Sequence, residues 1–232
     1  MTIRAAITEI RVSAREAENS ELWVLTSAVG ETLRYARDEA GYYAAEFPSY
    51  AAHWLDTWEY ANQANADGFV DLAANLHADA DASSRIAAFL SELGLTEHRT
   101  LFDELLAYQA RHGDLIASQF ARGDGELAQS HYHRFLDQFF ALERQAPSIN
   151  ETLAAWVIGQ DWLVVDPALQ PETLVNARRF IAPHPDLEQL RAAELRDRQA
   201  FLMHHHAEDL ERIAQIKAML LAGIERKQRK NN

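Results

Sequence analysis

Three predicted helices place side chains that could do chemistry on a face that is otherwise apolar. Asp79 lies on one helix, Glu143 on a second, and His206 with Asp209 on the last, where His205 lies at the edge of the apolar stripe. Burying a carboxylate or an imidazole is costly unless it is paired, hydrogen-bonded or bound to a metal. Carboxylates and imidazoles that project into a helical core are typical of non-heme iron and manganese sites. Iron suits this mixed oxygen and nitrogen set, and its open coordination positions would bind dioxygen.

A structural interpretation of the same residues stays open. His206 would be a core histidine held by Asp209, while Asp79 and Glu143 would make buried polar contacts that fix the register of the helices. Consecutive helical residues are separated by about 100°, so the three histidines of the run His204–His206 cannot all face one metal. The apolar stripe favours His206 as the buried member of that run.

Helical periodicity, few glycines and prolines and almost no strand-like alternation predict an all-α fold. We expect one domain over residues 1–232, built as a multi-helix bundle with no sheet. The first predicted helix is Thr2–Glu46, with Gly30 or Gly41 as a candidate break. The second starts at Tyr50 with Ser49 as its N-cap, and Asn65–Gly68 is its candidate break. The others are Phe69–Leu93, Thr96–Arg122, Glu126–Gln145, Ile149–Gly159, Pro171–Phe180 and a final helix capped by Asp186. The stretch DWLVVDPALQP, which follows Gln160, is expected to be irregular.

Composition excludes several classes of function. The net charge of −13 argues against nucleic-acid binding, which needs a basic face. The sequence has no cysteine, so disulfides, thiolate metal sites and a cysteine nucleophile are absent. No apolar stretch reaches the roughly 20 residues that span a bilayer, and the first residues lack a secretory h-region. We therefore expect a soluble cytoplasmic protein that acts without nucleic acid or a membrane.

Four short motifs give the chain a family resemblance. They are YYAAEFP at Tyr42–Pro48, NLHAD at Asn75–Asp79 with FLSELGL at Phe89–Leu95, ALERQAP at Ala141–Pro147, and FLMHHHAED at Phe201–Asp209. In this order, over roughly residues 42 to 212, the chain resembles the heme-oxygenase-like proteins. That group includes thiaminase II, pyrroloquinoline-quinone synthase and iron-containing oxidases.

The resemblance implies a heme-oxygenase-like bundle with metal ligands among Asp79, Glu143, His205 and Asp209. It puts His205 and Asp209 in the register of a His-x-x-x-Asp ligand helix, so His205 becomes the functional candidate although the apolar stripe favours His206. The chain departs from the family pattern at Asp79, where the family has glutamate, and at Ile86 and Arg212, where it has histidines. These departures imply a single-metal site, a rearranged site or a metal-free pocket.

Two functions therefore remain as hypotheses. The resemblance implies an oxidase or oxygenase that acts on a small organic molecule with dioxygen, with iron, manganese or no metal as its cofactor. The residues alone fit equally well a non-catalytic helical bundle that senses a ligand or binds a partner. A homodimer, the commonest closed assembly, is the hypothesis for the oligomeric state.

Overall fold

The structure is a computed structural model that describes residues 6–66, 69, 72, 73, 76, 79–145 and 147–196. Its helices are α1 (Ala14–Ala17), α2 (Leu22–Asp38), α3 (Ala51–Asn65), α4 (Ala80–Glu92), α5 (Thr96–Ala121), α6 (Gly125–Ser130), α7 (His133–Glu143), α8 (Ile149–Ile158) and α9 (Thr173–Phe180). A 3-10 turn, Ala44–Glu46, lies between α2 and α3. The all-α class predicted from periodicity is confirmed.

The chain divides into two compact units, Met1–His184 and Pro185–Asn232. In the second unit, residues 187–196 are helical and the amide of Leu190 donates to the carbonyl of Asp186. A helix start at Asp186 is thus confirmed. The single domain over residues 1–232 stays a prediction.

Two short strands contradict the expectation of a fold without any sheet. Strand β1 (Ile10–Ser13) pairs in parallel with β2 (Leu163–Asp166), with Ile10 opposite Leu163. The side chains of Ile10 and Val12 are buried, and β-branched residues favour an extended backbone at such positions. The predicted helix Thr2–Glu46 and the predicted irregular stretch after Gln160 are therefore both wrong at these segments.

The core lies where α2, α3 and α4 meet α5, α7 and α8. Helix α3 packs against α2, α4 and α8, and α5 packs against α4, α6 and α7. The largest fully buried side chains are aromatic: Trp54, Tyr60, Phe89, Phe102, Tyr132, Phe135 and Phe139. Aromatic rings dominate the energetics of such cores because each removes a large area from water.

The sequence predicted three helix boundaries incorrectly. Asp79 does not lie inside a helix Phe69–Leu93, because it has a non-helical backbone and caps α4. The predicted helix Glu126–Gln145 is divided into α6 and α7 at His131 and Tyr132. Tyr50, not Ser49, is the N-cap of α3, and its φ of 62° puts a non-glycine residue in the left-handed region.

Other boundaries agree with the sequence. Helix α8 starts after Ser148, whose hydroxyl accepts from the amide of Glu151, as in a capping box. Gly94 follows α4 with a φ of 73°, the conformation that glycine adopts most readily after a helix end.

Within the described residues, no helix is both long and apolar enough to cross a membrane.

Candidate functional site

Glu143 is the last residue of α7, and one of its carboxylate oxygens is fixed in place from two sides. Oε1 accepts a hydrogen bond of 3.0 Å from the amide of Ile149, and it lies 3.3 Å from Nε2 of His98. Ile149 is the first residue of α8, so its amide has no acceptor within that helix. Glu143 therefore serves as a cap for α8, where the helix dipole also favours a negative charge.

His98 brings an imidazole to this carboxylate from the first turn of α5. Its side chain is 5% exposed, and its ring packs edge-on against Phe139 with centroids 5.6 Å apart. Nδ1 is buried and has no hydrogen-bond partner in the described part of the chain. The imidazole of His98 and the carboxylate of Glu143 are therefore close neighbours in a region that is shielded from water.

Tyr60 adds a phenol to the same region from α3. Its ring packs edge-on against Phe102 and Phe139, at centroid distances of 5.2 and 5.9 Å. The hydroxyl is buried and has no partner among the described residues. Burial and, to a smaller extent, the negative charge of Glu143 raise the pKa of Tyr60 above its ordinary value. Tyr60, His98 and Glu143 are called the Glu143 cluster below.

Glu143 also lines a surface cleft of about 400 Å³. The cleft wall includes Leu22, Trp23, Glu143, Arg144, Asn150 and Glu151, and it is called the Trp23 cleft below. The indole of Trp23 is 58% exposed, and its Nε1 donates to Glu21 over 2.8 Å. Oε2 of Glu143 has no hydrogen-bond partner within the described ranges, so it is the oxygen available to a molecule in the cleft.

Asp79 lies elsewhere, and the expectation that it faces the core is wrong. It is exposed, and its Oδ1 accepts a 2.8 Å hydrogen bond from the amide of Ala82. It lines a second cleft of about 220 Å³, together with Arg37, Asp56 and Tyr60. Helical periodicity failed here because Asp79 precedes α4 and its direction is set by the capping hydrogen bond.

The remaining predicted ligands, His205, His206 and Asp209, lie outside the described residues, and their role as ligands stays a prediction. Within the described ranges, no group of three or more histidine, cysteine, aspartate or glutamate side chains could hold a metal ion. His98 and Glu143 supply one nitrogen and one oxygen donor. A non-heme iron site of the two-histidine, one-carboxylate kind needs at least one donor more, so these two residues alone do not fit an iron centre.

Two members of the Glu143 cluster were missed at the sequence level, although a signal for one of them exists. His98 precedes Leu101 by three residues and Leu105 by seven, so helical spacing places it on the apolar face of α5. Tyr60 gives no comparable signal, because a tyrosine near two tryptophans is typical of an ordinary core. Of the predicted residues that the structure describes, Glu143 is the one that takes part in a buried cluster.

Comparison with protein-family models, with curated proteins and with solved structures found no match to this chain.

Proposed function

We propose that this chain binds a small organic molecule in the Trp23 cleft and that Glu143 accepts a proton from it. The observation that carries the proposal is the unequal use of the two carboxylate oxygens. Oε1 accepts from the amide of Ile149 and lies 3.3 Å from Nε2 of His98, whereas Oε2 of this cleft-lining residue has no hydrogen-bond partner among the described groups. A carboxylate held rigidly by one oxygen is well placed to act as a general base with the other.

The surrounding groups support proton transfer at that atom. Nε2 of His98 lies 3.3 Å from Oε1, on the side of the carboxylate away from the proposed proton donor. Tyr60 adds no second negative charge beside Glu143, since a phenol is neutral near pH 7 and burial raises the pKa of Tyr60 further. A water-poor wall of aromatic side chains strengthens electrostatic effects on the inner side of the carboxylate.

The resemblance to heme-oxygenase-like proteins extends this proposal to oxidation. In the reaction we propose, the organic molecule loses two electrons and two protons, and dioxygen gains both and becomes hydrogen peroxide. Glu143 takes one of the two protons at Oε2 and later releases it. Each bond to hydrogen that is broken in the substrate is thus balanced by one that is formed in the peroxide.

In the metal-dependent form that the resemblance implies, we propose iron or manganese as the ion and His205 and Asp209 among its ligands, with His206 as the alternative to His205. The hypotheses of a cytoplasmic location and of a homodimer accompany this proposal as sequence-based expectations.

The proposal is tested with three proteins: the wild type, Glu143→Gln and the control Glu104→Gln. Glu104 is exposed and lines a different cleft of about 300 Å³ between α5 and α7. A panel of small organic molecules is screened by thermal shift, and the hits are followed by calorimetry and by oxygen uptake. We expect a molecule that binds the wild type and Glu104→Gln but binds Glu143→Gln at least about tenfold more weakly, a loss of about 1.4 kcal/mol. If no molecule distinguishes Glu143→Gln from the wild type, the proposal is wrong.

Metal content is measured separately on protein purified without a histidine tag. Near-stoichiometric iron or manganese that falls in His205→Ala supports the metal-dependent form. Full metal retention in His205→Ala, His206→Ala and Asp209→Asn would contradict our choice of ligands.

A ligand sensor without turnover is the second candidate. The exposed indole of Trp23 and the neighbouring Leu22, which is 38% exposed, give the cleft a binding surface that needs no chemistry. Binding that depends on Glu143, without oxygen uptake by any bound molecule, would favour the sensor over the oxidase.

A further inference from the structure

Three unlike groups line the Trp23 cleft and remain available to a ligand. Oε2 of Glu143 and the guanidinium of Arg144 form no hydrogen bond or ion pair with each other or with any other group in the described ranges. Trp23 exposes more than half of its surface beside them. A free carboxylate oxygen, a free cation and an apolar aromatic surface thus meet in one cleft.

We propose that the Trp23 cleft binds a small zwitterion of the amino-acid class that carries an apolar side group. This inference rests on the proposed function and specifies its substrate class. The ammonium group of the ligand would bind Oε2 of Glu143, and its carboxylate would bind Arg144. The apolar group would cover the indole of Trp23.

The ligand's carboxylate is assigned to Arg144 alone. The start of α8 also borders the cleft through Asn150, but the protein's own carboxylates, Glu143 and Glu151, already accept hydrogen bonds there.

The contacts of Glu143 determine where the ammonium group of the ligand would bind. Because Ile149 and His98 engage Oε1, the carboxylate cannot turn away to pair with Arg144 without breaking both contacts. Two opposite charges are kept apart on adjacent residues, and a ligand with opposite charges on one small framework can bridge them. Charge-assisted hydrogen bonds at both ends would be stronger than neutral ones.

This arrangement also identifies the group that would give its proton to Glu143, namely the ammonium group of the ligand. An ammonium held at Oε2 can pass a proton to Glu143, which leaves the neutral amine with its lone pair. Such an amine is more easily oxidised than the ammonium form. The amine would then lose two electrons and the proton of its α-carbon and become an iminium ion, and dioxygen would gain the two electrons, that proton and the proton released by Glu143 to become hydrogen peroxide.

The test uses three probes with the same benzyl-type group and different charges: L-phenylalanine, phenethylammonium and 3-phenylpropionate. Their affinities are measured by calorimetry on the wild-type protein. We expect L-phenylalanine to bind at least about tenfold more tightly than either singly charged probe, because it alone can use both poles. Equal affinity for all three probes, or no binding of L-phenylalanine at about 10 mM, would overturn the zwitterion assignment.

Two variants test which residue binds the ammonium group and which binds the carboxylate of the ligand, and each has a matched control. Glu143→Gln should reduce the affinity for L-phenylalanine to that for 3-phenylpropionate, and Arg144→Gln should reduce it to that for phenethylammonium. Glu104→Gln and Arg122→Gln make the same chemical changes at exposed positions outside the cleft wall and should leave the affinity unchanged. Trp23→Ala should weaken all binding at this cleft.

The outcomes separate this inference from the proposed function. If a singly charged probe binds as tightly as L-phenylalanine and Glu143→Gln abolishes that binding, the proposed function stands and the zwitterion assignment is wrong. If L-phenylalanine binds and Glu143→Gln does not change its affinity, both proposals are wrong.

Discussion

His98 and Glu143 meet across two helices, with Nε2 of the imidazole 3.3 Å from Oε1 of the carboxylate. Their contact joins the first turn of α5 to the last residue of α7, and it is almost wholly shielded from water. The two residues are 45 positions apart in sequence, so no local motif reveals the pair. The contact therefore has consequences for stability as well as for the proposed chemistry.

We expect His98→Ala to lower the free energy of unfolding by about 1–3 kcal/mol. The substitution removes the buried ring that packs against Phe139 and the imidazole nitrogen that lies 3.3 Å from Oε1 of Glu143. Urea denaturation followed by circular dichroism measures the change. His98→Gln keeps a side-chain donor and should recover part of the loss. Stability of His98→Ala equal to that of the wild type would show that the pair contributes nothing.

Glu143 should separate stability from binding. Glu143→Gln keeps an amide oxygen that can accept from Ile149, so we expect its stability to stay within about 1 kcal/mol of the wild type. Glu143→Ala removes the acceptor altogether and should cost about 1–2 kcal/mol through the lost cap. Thermal and urea denaturation measure both. Equal stability of the glutamine and alanine variants would contradict the capping role of Oε1.

Tyr60→Phe should change the pH dependence of stability. Because burial raises the pKa of Tyr60 in the folded state, the folded chain keeps this proton where the unfolded chain loses it. Below about pH 10 both states keep the proton, and the wild type has its full free energy of unfolding. As pH rises from there toward the folded-state pKa, the free energy of unfolding falls by at most about 1.4 kcal/mol per pH unit. Tyr60→Phe has no proton to lose, so its stability relative to the wild type should increase above about pH 10.

Urea denaturation at several pH values between about 8 and 11 measures this difference. At neutral pH we expect Tyr60→Phe to be as stable as the wild type or more stable by up to about 1 kcal/mol, because it removes a buried hydroxyl without a described partner. Tyr43→Phe, at a tyrosine that is 45% exposed, is the control for a hydroxyl outside the core. A constant difference between Tyr60→Phe and the wild type across this pH range would contradict the raised pKa.

The sequence predicted most of the helices because their signals are local. Ser148 and Glu151 form a capping box at the start of α8, and Gly94 supplies the left-handed residue after α4. The pairing of β1 with β2 joins segments about 150 residues apart, so neither strand could be recognised from its own neighbours. Short segments of this kind take their structure from tertiary contacts and not from propensity.

The candidate site shows the same division. Glu143 was identified because its position on an apolar face can be read from spacing within one helix. Its partners His98 and Tyr60 come from other helices, and only the packing of α3, α5 and α7 brings them together. Asp79 was misplaced because one capping hydrogen bond is enough to direct a side chain toward solvent.

Gly30→Ala should destabilise the fold although alanine is the better helix former. Gly30 lies within α2, and a Cβ atom added to it would lie 2.5 Å from the ring of Trp58. The ring is enclosed by the core, so overpacking should cost about 1–3 kcal/mol and exceed the gain of about 1 kcal/mol in helix propensity.

Gly113→Ala is the matched control for Gly30→Ala. The nearest atom to its added Cβ is the amide nitrogen of Gln109 at 2.8 Å, the far end of a side chain that can move. We expect this variant to lose less stability than Gly30→Ala in urea denaturation. A Gly30→Ala protein as stable as the wild type would mean that Trp58 is free to shift.

The capping role of Asp79 and its expected role as a metal ligand have different consequences for substitutions at this position. Its Oδ1 accepts from the amide of Ala82, and asparagine caps a helix about as well as aspartate does. We therefore expect Asp79→Asn to retain the stability and any metal of the wild type, and Asp79→Ala to lose about 0.5–2 kcal/mol of stability. Urea denaturation and metal analysis are made on the same preparations, with Asp81→Asn, at an exposed position in the first turn of α4, as the control for the lost charge. Loss of bound metal in Asp79→Asn without loss of stability would show that Asp79 is a ligand and that the cap is secondary.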